Sequence, residues 1–525
     1  MNTTRTWFAG LLVTLAVSGL AIGADDKKAS EKKPDAPKAA EKKAEPAKSA
    51  APAKKDEPKK AEPKKEEKKP EAKPAEKKPE PAKPAAAAAP GQVSFVKDVA
   101  PILIKNCMAC HGPRDPKGQY QLHTHEAFAK SGESGEAAVK AGKPSESYLF
   151  TLIASKDASD RMPKDADPLP PAQIELIRKW IEQGAKFDGP SAKAELVQIV
   201  PKQPHQAAPE KYRVPVAVTA VAFNPAGSEL AVAGYHEVTI WDAAKGTLLR
   251  RIGNVDERVY GLAYSPDGKT LAVASGTPGQ TGEVALYDPA SGKQTKSLAT
   301  LGDVVFCVAY NTVGTKLAAC AADRSIRVFD VAKGAQERLI EDHADWVMTV
   351  AFDAEGNRLV SGSRDKTSKV FDLKTGEAVA TYPGHSETVY TAAFTADGKQ
   401  VVSGGGDKKV HTWNPADGKQ VGNLGGFGGD VYKLVMRKDK FYTSSGDKSG
   451  RQHELADRKI LKTYAGLGDY AFALDEHEAT KRVAVGGFDG QVFIFDLEKE
   501  KDNVVAKFYA APGYTPAAAT QQAKK

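Results

Sequence analysis

Apolar and polar positions divide the chain into stretches with different periods. Phe95, Val99, Ile102, Leu103 and Met108 recur among polar residues at helical spacing, which predicts a helix over residues 93–110. Ile174, Ile177, Trp180 and Ile181 mark a second amphipathic helix over 171–184. Pro171 stands at its start and Gly184 at its end, where each is favoured. A Pro-containing connector follows, over 189–212. Beyond it, strand-like runs alternate with tight-turn signals such as Asn224-Pro225-Ala226-Gly227, Ser265-Pro266-Asp267-Gly268, Asp353-Ala354-Glu355-Gly356 and Thr395-Ala396-Asp397-Gly398. Residues 25–91 show no such period. They are almost entirely Lys, Ala, Pro and Glu, with nothing large and apolar to bury against chain entropy, so a disordered linker is expected there.

The strand-rich part repeats. Trp241-Asp242, Tyr287-Asp288, Phe329-Asp330, Phe371-Asp372, Trp413-Asn414, His453-Glu454 and Phe495-Asp496 are separated by 46, 42, 42, 42, 40 and 42 residues. An aromatic-acidic pair at a period just above 40 is the mark of WD-repeat blades of four strands each. Seven pairs predict a seven-bladed propeller over 213–510, with a disordered tail from 511. Blade 2 is longer because of Gly276–Gly282, expected as a protruding loop, and blade 6 is the most degenerate. Blade 5 carries His385, Ser403, Asp407 and Trp413, a set resembling a catalytic triad. Blade 4 repeats it with His343, Ser361, Asp365 and Phe371, and repetition at the blade period assigns both sets to structural hydrogen bonding. Asp323, Asp365, Asp407, Asp447 and Asp489 are likewise expected as turn residues, not metal ligands.

Length and charge narrow the picture. A chain of 525 residues is too long for one hydrophobic core. The net charge of +8 sits mostly in residues 25–90, where twenty lysines face fourteen carboxylates; Arg5 adds one more. The rest is close to neutral, so a phosphate-binding groove, and with it a nucleic-acid partner, is not expected. Arg5, the uncharged apolar run Trp7–Ile22 and the small residues of Ala21-Ile22-Gly23-Ala24 predict a signal peptide over 1–24. That run is shorter than the roughly 20 residues of a spanning helix, so no transmembrane segment is expected after cleavage, and a periplasmic or otherwise exported location is.

The candidate chemistry lies between the two helices. Cys107-Met108-Ala109-Cys110-His111 places two thiols where they can reach the two vinyl groups of a haem, with an imidazole next in line for the iron. A thioredoxin-like site would need a βαβ pattern, which is absent, and a zinc site using His111 or His123 matches no familiar finger spacing. For the sixth iron position, Met1 leaves with the signal, Met348 and Met436 belong to the propeller, and Met108 lies inside the attachment loop. Met162 is left, with His123 and His125 as rivals. Cys307 and Cys320 flank the turn Asn311–Gly314. Pairing Tyr310 with Leu317 puts them opposite each other, within disulfide range, though two buried thiols are the plainer expectation.

The stretch from Val93 to Leu103, Cys107–Gly112, Gly132-Glu133-Ser134-Gly135, Arg161-Met162-Pro163 and Ile174–Ala185 together resemble the planctomycete-type cytochrome c domain. The resemblance covers about residues 92–188, and such domains precede WD repeats in secreted proteins. It implies a small all-α, class I-like cytochrome c domain ahead of the all-β propeller. It further implies one covalent haem c on Cys107 and Cys110, with His111 and Met162 on iron. Lys164 departs from the pattern, standing where related sequences carry proline or glycine. The expected function is one-electron transfer, with the propeller docking a redox partner protein. Peroxidase-like catalysis, and an interaction protein sensing haem redox state, are the alternatives.

Overall fold

The Ser94 hydroxyl accepts from the Lys97 N–H and opens the first helical stretch, as a capping serine does. In this computed structural model, which describes residues 91–516 except 114, 115, 203, 501 and 502, that stretch begins with a π-helical turn, Phe95–Val99. It continues as α1 (Ala100–Asn106), with Pro101, which has no N–H, in the first turn where none is needed. The predicted single helix breaks at Cys107, whose φ of −127° is not helical, and resumes as α2 (Met108–His111). Short helices α3 (His125–Phe128) and α4 (Tyr148–Ile153) follow, then α5 (Pro171–Glu182), where the periodicity put it. Phe95, Val99, Leu103, Phe128, Trp180 and Ile181 form the centre of this helical domain. Phe95 lies 5.3 Å from Trp180 and 5.9 Å from Phe128, centroid to centroid. The Trp180 indole N–H donates to the Lys186 carbonyl, so the largest core side chain is buried without an orphaned donor.

One short helix, α6 (Leu196–Ile199), punctuates the connector. Among the described residues, seven four-stranded antiparallel sheets follow, each built from four consecutive strands. They are β1–β4, β5–β8, β9–β12, β13–β16, β17–β20, β21–β24 and β25–β28, running from Val221 at the start of β1 to Tyr509 at the end of β28. This is the seven-bladed propeller expected from the repeat. The aromatic of each repeated pair lies at or near the end of its blade's third strand and, as with Phe329, Phe371, Trp413 and Phe495, is almost wholly buried.

In six blades the pairing of the first and second strands skips one residue near the start of the first, a β-bulge. The skipped residues are Tyr260, Phe306, Met348, Tyr390, Tyr432 and Phe472. Bulges re-aim side chains. Here they gather a collar of half-buried apolar groups, with Tyr390–Tyr432 at 5.3 Å and Tyr432–Phe472 at 4.6 Å.

The ring closes without sharing a sheet between its ends. β1 (Val221–Phe223) and β25 (Ala471–His477) belong to different blades and meet side by side, and Val218, Val221 and Phe223 pack with Ala473, Ala484 and Ile494. Phe223 N–H donates to Asp475, and Val218 N–H to the Gly487 carbonyl. Residues 511–516, within the stretch expected as a tail, are described. Ala511 and Pro512 are buried, Tyr212 N–H donates to the Pro512 carbonyl, and Tyr514 packs edge-on against Tyr509. A Pro-Gly turn and one aromatic ring suffice to hold this stretch down. The signal peptide and nearly all of the linker expected ahead of residue 91 lie outside the described residues, as does the tail from 517. Among the described residues, no helix is long and apolar enough to cross a membrane.

Candidate functional site

The break at Cys107 builds the site. The Cys107 carbonyl accepts from both Cys110 N–H (3.2 Å) and His111 N–H (3.0 Å), so the five-residue motif curls into a single turn. Cys107, Cys110 and His111 then line one cavity of about 390 Å³, together with Tyr120, Leu149 and Ile153. Met162 reaches the same cavity from the loop between α4 and α5. That loop is fixed by Met162 N–H on the Leu152 carbonyl and Arg161 N–H on the Asp157 carbonyl. Lys164, the departure from the expected pattern, also lines the cavity and donates to the Ser159 carbonyl, closing the loop on itself.

Tyr120 organises the histidine side. Its carbonyl lies 3.2 Å from His111 Nδ1, its ring stands edge-on to the imidazole at 5.5 Å, and its hydroxyl donates to the Phe128 carbonyl. Gly132 packs against this residue so closely that a Cβ there would lie 2.7 Å from the Gly118 carbonyl oxygen and 2.8 Å from the Tyr120 Cβ. That explains the glycine heading Gly132–Gly135. Burial pushes the Cys107 thiol up to about 12, with Cys110 beside it adding to the shift.

His123 and His125 stand apart from the cavity lining. His125 packs edge-on to Phe95 at 4.8 Å and against Phe187 at 4.2 Å. His123 presents a buried Nδ1 without a hydrogen-bond partner, while its backbone carbonyl holds the start of α6.

The triad-like sets in the propeller are buried links. His343 Nδ1 meets Asp365 at 2.7 Å and Nε2 meets Ser361 at 2.7 Å; His385 repeats this with Asp407 at 2.9 Å and Ser403 at 2.8 Å. Trp413 N–H donates to Ser403, completing the chain in blade 5. Both serines are 0% exposed, which leaves no room for a substrate. Burial pushes the Asp407 carboxyl up, but hydrogen bonds with His385 and His411 override it and hold the group well below the usual range. The turn role also holds: Asp323 accepts from Ser325 N–H, Asp365 from Thr367 N–H, Asp407 from Lys409 N–H and Asp489 from Gln491 N–H, while Asp447 accepts from the Ser449 hydroxyl.

Residues 107–166, the segment that builds the cavity, match the family model described as Planctomycete cytochrome C. Residues 292–330, 334–372 and 376–414 match the WD domain, G-beta repeat. The chain thus joins a helical domain, whose cavity-building segment matches the planctomycete cytochrome C model, to a seven-bladed propeller with WD-repeat matches in its middle blades. Similarity to curated proteins is confined to short stretches. The chain is 33% identical over 102 residues to an intraflagellar transport protein 122 homolog of Danio rerio, 19% of this chain and 8% of that protein. It is 30% identical over 102 residues to the Homo sapiens homolog, and 32% over 76 residues to coronin-7 of Rattus norvegicus, 8% of each protein. The chain thus spans less than a tenth of the length of these relatives.

The helical domain meets the propeller at the Cys107–His111 segment. The Gly276–Gly282 stretch expected as a loop is instead a continuation of β6 (Leu271–Thr277) and β7 (Thr281–Tyr287), paired as far as Thr277 with Thr281. At its tip a Cβ on Gly279 would lie 3.2 Å from the Ala109 Cβ, and one on Gly302 would lie 3.9 Å from Met108 Cγ. Asp303 holds the tip through Gly279 N–H. Blade 2 and the loop that follows it therefore lie against the two residues between Cys107 and Cys110, of which Met108 is buried and Ala109 stays exposed. This contact, and the collar at the same end of the inner strands, escaped the sequence reading. The only signal for the collar was an aromatic or Met after a Val or Ala at or next to the start of each of six inner strands.

Proposed function

We propose that this chain is an exported c-type cytochrome that holds one covalent haem and exchanges single electrons, with the propeller as docking scaffold for a partner redox protein. The observation that carries the reading is the convergence of two thiols, one imidazole and one thioether on a single cavity of about 390 Å³. That donor set and the apolar walls suit a flat macrocycle bearing iron. Bound there, haem supplies a one-electron iron couple.

The residues divide the remaining work. Cys107 and Cys110 anchor the group through thioether links. His111 offers Nε2, because the Tyr120 carbonyl takes the proton on Nδ1. Met162 offers a soft sulfur that favours the reduced state of iron. Leu149, Leu152 and Ile153 keep water from the cavity wall. Blade 2, pressed on Met108 and Ala109, fixes the attachment loop against the propeller. A partner docked on the aromatic collar would sit at the same end of the ring.

The test is an absorption spectrum of haem-matured protein, oxidised and reduced, beside the Met162→Ala variant. A low-spin wild type, a high-spin variant and haem retained by both after denaturation are expected. Loss of haem on denaturation would overturn covalent attachment. A high-spin wild type would overturn Met162 ligation and favour catalysis at an open iron position.

A further inference from the structure

The propeller contains a second cluster of reactive groups, far from the cavity in sequence. Cys307 on β9 (Val305–Tyr310) and Cys320 on β10 (Lys316–Ala321) are direct cross-strand partners. Antiparallel partners have Cα atoms about 4.5–5.5 Å apart, inside the range a disulfide spans. Both are free thiols, 7% and 1% exposed. Their pairing lies one step from the bulge at Phe306, where the strands twist and the ladder is interrupted.

Cys307 also lines the central channel, a cavity of about 550 Å³, together with Lys433, Arg437, Asp475 and Glu476. Arg437 is tied to Glu476, and Asp475 accepts from Phe223 and Glu476 N–H groups. The Lys433 ammonium has no such tie among the described contacts and shares the channel with Cys307. The Cys307 thiol donates to the Val308 and Val350 carbonyls, both at 3.8 Å, and Thr349 lies beside it.

The geometry points to Cys307 and Cys320 as a thiol–disulfide couple facing the channel, with Cys307 as the attacking sulfur and Cys320 as the resolving one. The asymmetry has a physical cause. Cys307 lines the channel together with Lys433, whose positive charge favours a thiolate, whereas Cys320 is almost wholly buried behind it and is not part of the channel wall. The oxidant is a low-molecular-weight disulfide small enough for the channel. Cys307 thiolate attacks one sulfur of that disulfide, breaking its S–S bond and releasing one thiolate. Cys320 sulfur then attacks Cys307 sulfur, forming the protein disulfide and releasing the second thiolate. The two protons from the cysteines end on the two released thiols. The couple stores two electrons, independently of any haem.

The experiment treats full-length, haem-matured protein with bis(2-hydroxyethyl) disulfide under native conditions and maps the cysteine peptides by mass. We expect the peptides bearing Cys307 and Cys320 to become linked with loss of two hydrogens, and dithiothreitol to restore them. Cys320→Ser should trap the mixed disulfide on Cys307, Cys307→Ser should leave Cys320 unmodified, and Lys433→Met should slow linkage roughly tenfold. Circular dichroism checks that each variant is folded. Linkage only in urea, or modification of Cys320 in folded Cys307→Ser, would overturn the assignment.

Discussion

His111 Nδ1 and the Tyr120 carbonyl oxygen lie 3.2 Å apart, and this contact decides which imidazole nitrogen is free. A carbonyl can only accept, so Nδ1 carries the proton and Nε2 keeps its lone pair. The contact uses backbone, so Tyr120→Phe should leave the spectrum of the haem-matured protein unchanged. It removes only the hydroxyl bond to the Phe128 carbonyl, which is expected to cost about 1 kcal/mol. Thermal melts and spectra of the same samples separate the two effects.

His125 gives the sharpest control on Met162. Its ring contacts with Phe95 and Phe187 make it a packing residue, so His125→Ala should lower stability by roughly 1 kcal/mol and leave the low-spin spectrum intact. A high-spin spectrum in that variant would overturn the axial role proposed for Met162 and assign it to the histidine.

Glu283 latches the connector to blade 2. Lys202 and His205, both from the connector, meet its carboxylate at 2.6 and 2.9 Å, and Ser297 and Gln294 bond to it as well. Burial pushes the carboxyl up, but the hydrogen bonds from His205, Lys202 and Ser297 hold it at about 2 against an ordinary 4.5. The stability this provides, on the order of 3 kcal/mol, is present above about pH 4.5 and lost as pH falls through 2. His205 is raised above 6.5, foremost by its bond to Glu283, so its share is present below that pH and lost as pH rises through the raised value. The latch is thus strongest between the two limits. Glu283→Gln should expose the connector to trypsin at Lys202, measured as a faster first cut; an unchanged cleavage rate would rule out the latch.

Blade 6 stands on a neutral histidine. His453 is 0% exposed, stacks on Phe441 at 4.5 Å and sits 3.0 Å from the Thr443 hydroxyl. Burial, then the Arg451 charge, lowers it from 6.5 to about 4. The folded pKa is depressed, so its contribution is complete above about pH 6.5 and is lost as pH falls toward 4, where the unfolded chain takes up a proton the folded one refuses. The size is roughly 3 kcal/mol. Urea midpoints across that window should fall in the wild type, and the slope should be shallower in His453→Phe.

The repeat was legible because every aromatic of the seven pairs serves the same buried position, so the sequence carries it at a fixed interval. The pairing of Cys307 with Cys320 was legible for a related reason: the turn at Asn311–Gly314 sets the register, and counting outward from it suffices. The count fails one residue further on, where the bulge skips Phe306, since nothing in a single strand's pattern marks an extra residue. The haem-site candidates followed from the CxxCH spacing and a short list of methionines. Ala109 against Gly279 could not be read, because contacts between domains join surfaces with no shared period. Nor could the order of residues 511–514, which depends on Tyr212 some 300 positions earlier.

The unshared seam between β1 and β25 also sets a schedule for assembly. Within a blade every partner is a near neighbour in the chain, so hairpins can form as soon as they are made. The joint from Phe223 to Asp475 spans 252 residues, and the loop it closes is the whole ring. Until the last blade exists, the face bearing Val218, Val221 and Phe223 has nothing to cover it. The first blade to be synthesised is thus the last to be sheltered, which makes it the place where a slow or interrupted chain would stick to its neighbours.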